Sequence, residues 1–160
     1  MIFLTVGSAL PFDRIVKLID QAIQQNIIAD EVFAQIGAGQ YVPQSMESRD
    51  FLNKDDFQDM MGKSTAVISH AGIGTIGECL KLKKPMLVMP RRKMHGELVD
   101  DHQLNTARVF AQANHLMCFE TLEELGGCIK LLPNFSPETR NPNRKGISRE
   151  VSAYINEFIV

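Results

Sequence analysis

Residues 67–77 read VISHAGIGTIG, followed by Glu78 and Cys79. Gly72, Gly74 and Gly77 directly follow a short apolar run with Gly-x-Gly-x-x-Gly spacing, the spacing of a dinucleotide-binding turn. A turn that leaves a parallel strand and opens a helix offers a phosphate unpaired backbone N–H groups and the positive end of the helix dipole. Glycine removes the side chain that would block the approach. These properties suit any diphosphate, and three features weigh against a dinucleotide. Two predicted strands and more than sixty residues precede the turn, whereas the dinucleotide fingerprint opens its domain. About twenty positions on, where the fingerprint wants an acidic residue, the chain has Pro90-Arg91-Arg92; two arginines there leave NADP open as an alternative. No residues remain for a separate substrate domain. A second candidate, Gly37-Ala38-Gly39, has Val42 in place of a third glycine and reads as a tight turn.

Other side chains around the turn narrow the chemistry. His70 and Thr75 supply an imidazole and a hydroxyl for a diphosphate, and Glu78 supplies a carboxylate for two adjacent ribose hydroxyls. That set suits a nucleotide sugar. Residues 89–107, MPRRKMHGELVDDHQLNTA, run from a strand end into a helix whose start carries Asp100, Asp101, His102 and Gln103, polar groups that could meet sugar hydroxyls. Lys81, Lys83 and Lys84 read as a solvated helix end, where cations suit the dipole. Arg91 to Lys93 read either as an ordinary exposed loop or as a face for anionic lipid or an acceptor diphosphate. The four histidines show no ligand spacing, so no metal site is expected.

The elements that must position these residues alternate β and α. Apolar runs predict strands over Ile2 to Val6, Val32 to Ile36, Ala66 to Ser69, Met86 to Met89 and Leu116 to Phe119, with a weaker one near Phe51. Phe12, Ile15, Val16, Ile19, Ala22 and Ile23 repeat at helical spacing, as do Leu104, Ala107, Phe110 and Ala111, with Val109 out of register. Phe57 to Met61 and Ile73 to Leu82 also read as helices, the second stopped by Pro85. The expected fold is α/β, a Rossmann-like, mostly parallel sheet flanked by helices. It forms one domain over residues 1–160, with a proline-rich loop over 133–145 and a last helix over 146–160. The apolar stripe of that helix (Ile147, Val151, Tyr154, Ile155, Phe158, Ile159) would pack on its own domain or on a partner.

Composition removes several classes. The 160 residues are 44% hydrophobic and 22% charged, ordinary globular usage. A net charge of −2 gives no basic surface for nucleic acid. Three cysteines, Cys79, Cys118 and Cys128, have no Cys-x-x-Cys spacing and read as thiols in a reducing compartment. Neither a signal peptide nor a run of about 20 apolar residues is present, so the expected location is cytoplasmic.

Thr5-Val6-Gly7-Ser8 with Phe12 to Val16, then ISHAGIGTIGE, KKPMLVMP and DDHQLNTA, together resemble the C-terminal, donor-binding domain of family 28 glycosyltransferases. The likeness covers about the first 120 residues in the family's own order. It is closest in kind to the single-domain members, the catalytic subunit of the dolichol-linked N-acetylglucosamine transferase and the exopolysaccharide and capsule subunits of the PssE type. The resemblance implies the C-terminal half of a GT-B enzyme with a UDP-sugar at the C-terminal edge of its sheet, no cofactor and no metal. Gly7, Ser8, His70, Ala71, Gly72, Gly74 and Thr75 would hold the diphosphate, with His70 and Glu78 as the catalytic pair and Glu78 on the ribose. Phe51 and Leu52, in the segment from Arg49, would present backbone to the uracil. His102 and Gln103 match the sugar-contacting pair. The resemblance further implies inverting transfer of a hexose to a polyprenyl-diphosphate-linked saccharide in exopolysaccharide or capsule synthesis. A membrane-anchored, acceptor-binding subunit of the PssD type would carry this chain at the inner face of the membrane and could supply the general base. Without it, an apolar interface would be exposed and the chain could self-associate as a homo-oligomer. A non-catalytic nucleotide-sugar-binding or activating subunit is the alternative.

Overall fold

The computed structural model describes residues 1–138; the helix expected over 146–160 and most of the loop expected over 133–145 lie outside the described residues. The chain order is β1 (Ile2–Thr5), α1 (Asp13–Gln24), β2 (Val32–Gln35), β3 (Glu47–Arg49), α2 (Lys54–Lys63), β4 (Ala66–Ser69), α3 (Ile73–Lys81), β5 (Met86–Val88), α4 (His102–Gln112), β6 (Met117–Cys118) and α5 (Leu122–Leu131). All six strands are parallel and pair in the order β3-β2-β1-β4-β5-β6. Ile2 lies between Val32 and Ala66, and Thr5 between Gln35 and Ser69. The chain reverses its direction of travel across the sheet between β1 and β4. In open α/β sheets a ligand crevice opens at that place, beyond the carboxyl ends of the strands.

Alternation along β1 divides the core. Ile2 and Leu4 pack with α1 and α5 on one face, through Ile15, Val16, Ile19 and Leu125. Phe3 packs on the other face with α2, α3 and α4, through Met61, Ile76 and Ala107. Val109 is 62% exposed, as its place off the apolar stripe of α4 predicts. Cys79 is buried and free, its thiol pushed up to about 12 by burial, so it is packing rather than chemistry.

Two elements depart from the expectation. The strand sought near Phe51 forms over Glu47–Arg49 instead, a polar edge strand ordered by pairing with Phe33–Gln35 rather than by its own side chains. No helix was expected between Phe119 and Pro133, yet α5 forms there. Gly126 and Gly127 weaken its intrinsic propensity, while its start carries a capping box. The Thr121 hydroxyl accepts from the Glu124 N–H, and the Glu124 carboxylate accepts from the Thr121 N–H.

The β2–β3 connection has no helix and is held by a buried carboxylate on α1. Asp20 accepts hydrogen bonds from the Tyr41 hydroxyl (2.7 Å) and the Gln44 and Ser45 N–H groups (3.1 and 2.7 Å). Burial pushes its carboxyl up, but these donors outweigh it and hold Asp20 below the ordinary carboxylate range. A depressed carboxyl stabilises the fold above its unfolded pKa and loses that contribution as pH falls through the folded value. Asp20→Asn is expected to cost about 2 kcal/mol in denaturant unfolding at pH 7, since charge-assisted bonds are lost. The gap from wild type should narrow in acid.

Candidate functional site

Two turns meet at the β1/β4 crevice. At the end of β1, Gly7 has φ +77°, which no β-carbon tolerates easily, and its N–H donates to Thr5 Oγ1 at 3.3 Å. At the end of β4, Ala71 is buried and Gly72 caps α3, with no side chain over the first N–H groups of the helix. The His70 imidazole is wedged between them. A β-carbon on Gly7 would lie 2.8 Å from His70 Cε1, and one on Gly72 would lie 2.9 Å from Cε1 and closer still to Nε2.

The tautomer of that ring follows from its neighbours. The Ser69 hydroxyl donates to the Thr5 carbonyl at 2.6 Å, so toward His70 Nδ1, 3.1 Å away, it is an acceptor. Nδ1 therefore carries the proton and Nε2 the lone pair. Burial, reinforced by the nearby Arg91 charge and opposed by a bond to the Thr5 backbone, lowers the imidazole pKa to about 4. A neutral ring with Nε2 bare is an acceptor. It can donate to a phosphate only by taking up a proton with the anion, and in the ligand-free state its work is to shape both turns.

In front of the turns lies an open cleft of about 470 Å³, within the range of ligand sites. Gly7, Ser8, Gly74, Thr75 and Glu78 form one side, and Leu52 lies opposite with Asn53, Lys54, Phe57 and Gln58. Glu78 sits one turn into α3 with its side chain 27% exposed and Lys81 3.5 Å away. Gln35 also lines the cleft and links its two sides: its amide nitrogen donates to Thr5 Oγ1 (3.2 Å) and its oxygen accepts the Leu52 N–H (3.0 Å). Of the segment from Arg49, the Arg49 and Asp50 carbonyls accept the Ile36 and Gly37 N–H groups. The Phe51 N–H and the Phe51 and Leu52 carbonyls take no partner among the described residues. A donor beside acceptors complements the imide edge of uracil. The Phe51 side chain itself is exposed.

Gln35, Asn53, Lys54, Phe57 and Gln58 were not among the expected site residues. Gln35 alone carried a signal, a polar residue ending the buried strand beside β1.

His102 and Gln103 do not line this cleft; they open α4, after β5. Gln103 is 5% exposed, with its oxygen accepting the Arg91 N–H at 3.1 Å, which leaves its amide nitrogen as the available end. His102 is exposed and its Nδ1 pairs with Asp100. Neither arginine of the preceding loop is free for lipid or for a 2′-phosphate. Arg91 is buried, and Arg92 pairs with Glu120 through two bonds of 2.9 and 2.7 Å. Glu97 fastens the loop, accepting two bonds of 2.8 Å from Arg14 and the Arg92 N–H at 2.8 Å. Lys84, expected in solvent, donates to the Gly62 and Ser64 carbonyls at the end of α2.

The geometry also separates this turn from the dinucleotide fingerprint, whose third glycine permits close helix–strand packing. A β-carbon on Gly77 would meet nothing within 4 Å among the described residues.

Known proteins resemble this chain in sequence and in fold. The UDP-N-acetylglucosamine transferase subunit ALG13 of Homo sapiens is 30% identical over 124 residues, 72% of this chain and 10% of the human protein. The ALG13 of Cryptococcus neoformans var. neoformans serotype D (strain JEC21) is 39% identical over 105 residues, 61% of this chain and 48% of that protein. The chain thus spans about half or less of these relatives. Among solved structures, MurG of Acinetobacter baumannii superposes with a TM-score of 0.61 at 21% identity, over 82% of this chain and 41% of MurG. The solution structure of ALG13 superposes with a TM-score of 0.61 at 20% identity, over 91% of this chain and 93% of that one. At such identities the superpositions establish the fold, the C-terminal half of a GT-B glycosyltransferase. With residues 1–151 matching the glycosyltransferase family 28 C-terminal domain, the chain belongs to that family.

Proposed function

We propose that this chain is the donor-binding, catalytic subunit of a UDP-sugar-dependent inverting glycosyltransferase. The observation that carries the reading is the cleft itself. Two glycine turns and a helix N-terminus without a side-chain cap meet at the topological switch point, with Glu78 one turn along the helix and, across the gap, a Phe51 N–H and Phe51 and Leu52 carbonyls that have no partner among the described residues. These positions match, in order, a diphosphate, a ribose and a uracil. The name borne by the relatives, a UDP-N-acetylglucosamine transferase subunit, supports both the donor class and the subunit character.

In the proposed reaction an acceptor hydroxyl attacks the anomeric carbon from the face opposite UDP, the bond from that carbon to the diphosphate oxygen breaks, and a base takes the hydroxyl proton. Backbone N–H groups of the two turns and the α3 dipole meet the charge that grows on the departing UDP. The acceptor is a polyprenyl-diphosphate-linked saccharide of exopolysaccharide or capsule synthesis, held at the inner face of the membrane by a membrane-anchored, PssD-like subunit that also supplies the base. Among the described residues no helix is long and apolar enough to cross a membrane, which is compatible with anchoring through a partner.

Calorimetric titration of the chain with UDP, dUDP and NADPH tests the donor reading. UDP is expected to bind more tightly than dUDP, and Glu78→Ala to weaken UDP about 10-fold and erase the preference, the size of a lost charge-assisted hydrogen bond. Equal binding of UDP by wild type and Glu78→Ala would remove Glu78 from the ribose. Tight NADPH binding that UDP does not displace would remove the nucleotide-sugar reading.

A further inference from the structure

Arg91 follows Pro90 just beyond β5 and is 3% exposed. Its Nη2 donates to the carbonyls of Val6 (2.9 Å) and Leu10 (2.6 Å), the residues that bracket the Gly7–Ala9 turn. Its guanidinium lies 4.9 Å from the ring centre of Phe12, which caps α1. No carboxylate stands within ion-pair distance of it among the described residues. The carboxylate acting on it, Glu97, already accepts from Arg14 and from the Arg92 N–H. Among the described residues the Arg91 Nε–H is buried without a partner.

A buried cation with a vacant donor is destabilising by itself, and apolar replacements of buried charges are often neutral or stabilising. Holding two carbonyls explains a donor at this place but not a full positive charge. An anion in front of the turn explains both. The turn's N–H groups and the charge behind it act in the same direction through a region of low dielectric, where a fixed charge is felt strongly. The same field reaches His70, where it works with burial to keep the imidazole neutral until an anion arrives.

We propose that Arg91 is a positioning residue for the donor's diphosphate: it holds the Gly7–Ala9 turn by its two end carbonyls and sets an uncompensated positive charge behind it. The inference rests on the nucleotide-sugar reading of the cleft. It makes Arg91 selective for charge, favouring UDP over uridine and the departing UDP over the intact donor, whose diphosphate carries less negative charge.

The test is titration of the full chain, as wild type, Arg91→Met and Arg91→Lys, with UDP, uridine and inorganic pyrophosphate, alongside thermal unfolding without ligand. Arg91→Met is expected to lose about 30-fold in UDP and pyrophosphate affinity and less than about 3-fold for uridine, as removal of one buried charge facing an anion would do. Its ligand-free melting temperature should change little, because relief from burying the charge offsets the loss of the donor to the Val6 and Leu10 carbonyls. Arg91→Lys should restore most of the UDP selectivity. Equal losses for UDP and uridine, or unaltered UDP binding in Arg91→Met, would overturn the proposal. If Arg91→Met does not fold, Arg91→Lys against Arg91→Gln decides, because only the lysine keeps the charge; equal selectivity in the two would overturn it. Wild type that binds pyrophosphate in an Arg91-dependent way but not UDP would sink the donor reading and leave the anion anchor standing. Wild type that binds neither would sink both.

Discussion

Gly72→Ala is expected to weaken UDP binding about 100-fold, equivalent to roughly 2.7 kcal/mol, within the cost of forcing an extra methyl into a packed site. Gly72 has φ −80°, so its backbone accepts alanine without strain. The obstacle is the neighbouring ring, since the new methyl would fall 2.9 Å from His70 Cε1 and nearer to Nε2. The imidazole cannot retreat, because Nδ1 is tied through Ser69 to Thr5 and Gly7 closes its other side. The Gly72 turn must therefore move, taking with it the first N–H groups of α3 that face the cleft. Removing the ring should return much of the loss. In a double-mutant cycle, Gly72→Ala combined with His70→Ala is expected to bind UDP better than Gly72→Ala alone, with a coupling of about 1 kcal/mol or more. Additive effects would show that the ring is not the obstacle. Gly77→Ala is the control. Its methyl meets nothing within 4 Å on an exposed helical position, so UDP affinity should hold while stability rises by up to about 1 kcal/mol from helix propensity.

The same residues show how far the sequence could be read. Alternation of apolar runs fixed five strands and four helices, because buried parallel strands and amphipathic helices must carry that pattern whatever their function. β3 was placed late, near Phe51, because Glu47, Ser48 and Arg49 are ordered by the backbone of β2, and pairing leaves no mark on composition. α5 escaped because Gly126 and Gly127 mask a helix that a capping box and the burial of Leu125 hold in place. At the site, glycine spacing and residue type pointed to Gly74, Thr75 and Glu78, the family resemblance added Gly7, Ser8 and Leu52, and all six line one cleft. Burial and hydrogen-bond direction were not legible. Arg91 read as a loop cation and is buried at the turn; Gln35 read as part of a strand and joins both walls of the cleft. Such roles depend on residues distant in the chain meeting at one sheet edge.

His70 should also make the fold acid-sensitive, by about 3 kcal/mol at pH 4 relative to neutral pH. Its pKa in the folded chain, about 4, lies below the ordinary 6.5, chiefly because burial penalises the charged ring, with Arg91 adding to the effect. Protonation therefore favours the unfolded chain. The stability that the neutral ring contributes is complete above pH 6.5 and is lost as pH falls from there toward 4. Asp20 and other carboxylates with lowered pKa values add their own acid loss, so the comparison that isolates the imidazole is the difference between wild type and His70→Asn. Urea unfolding across pH 4 to 8 should show the variant gaining on wild type by about 3 kcal/mol toward acid, and parallel curves would show that His70 is not buried neutral. A bound donor should reverse the sign. A UDP-sugar, whose diphosphate diester has no group titrating near neutral pH, would place negative charge beside Nε2 and raise the pKa of the imidazole. Binding should then take up a proton and tighten as pH falls below the raised value. If calorimetry in buffers of different ionisation enthalpy finds proton uptake that His70→Asn abolishes, the imidazole acts as a charged donor to the diphosphate; if no proton is taken up, it serves only as the wedge that holds Gly7 and Gly72 in place.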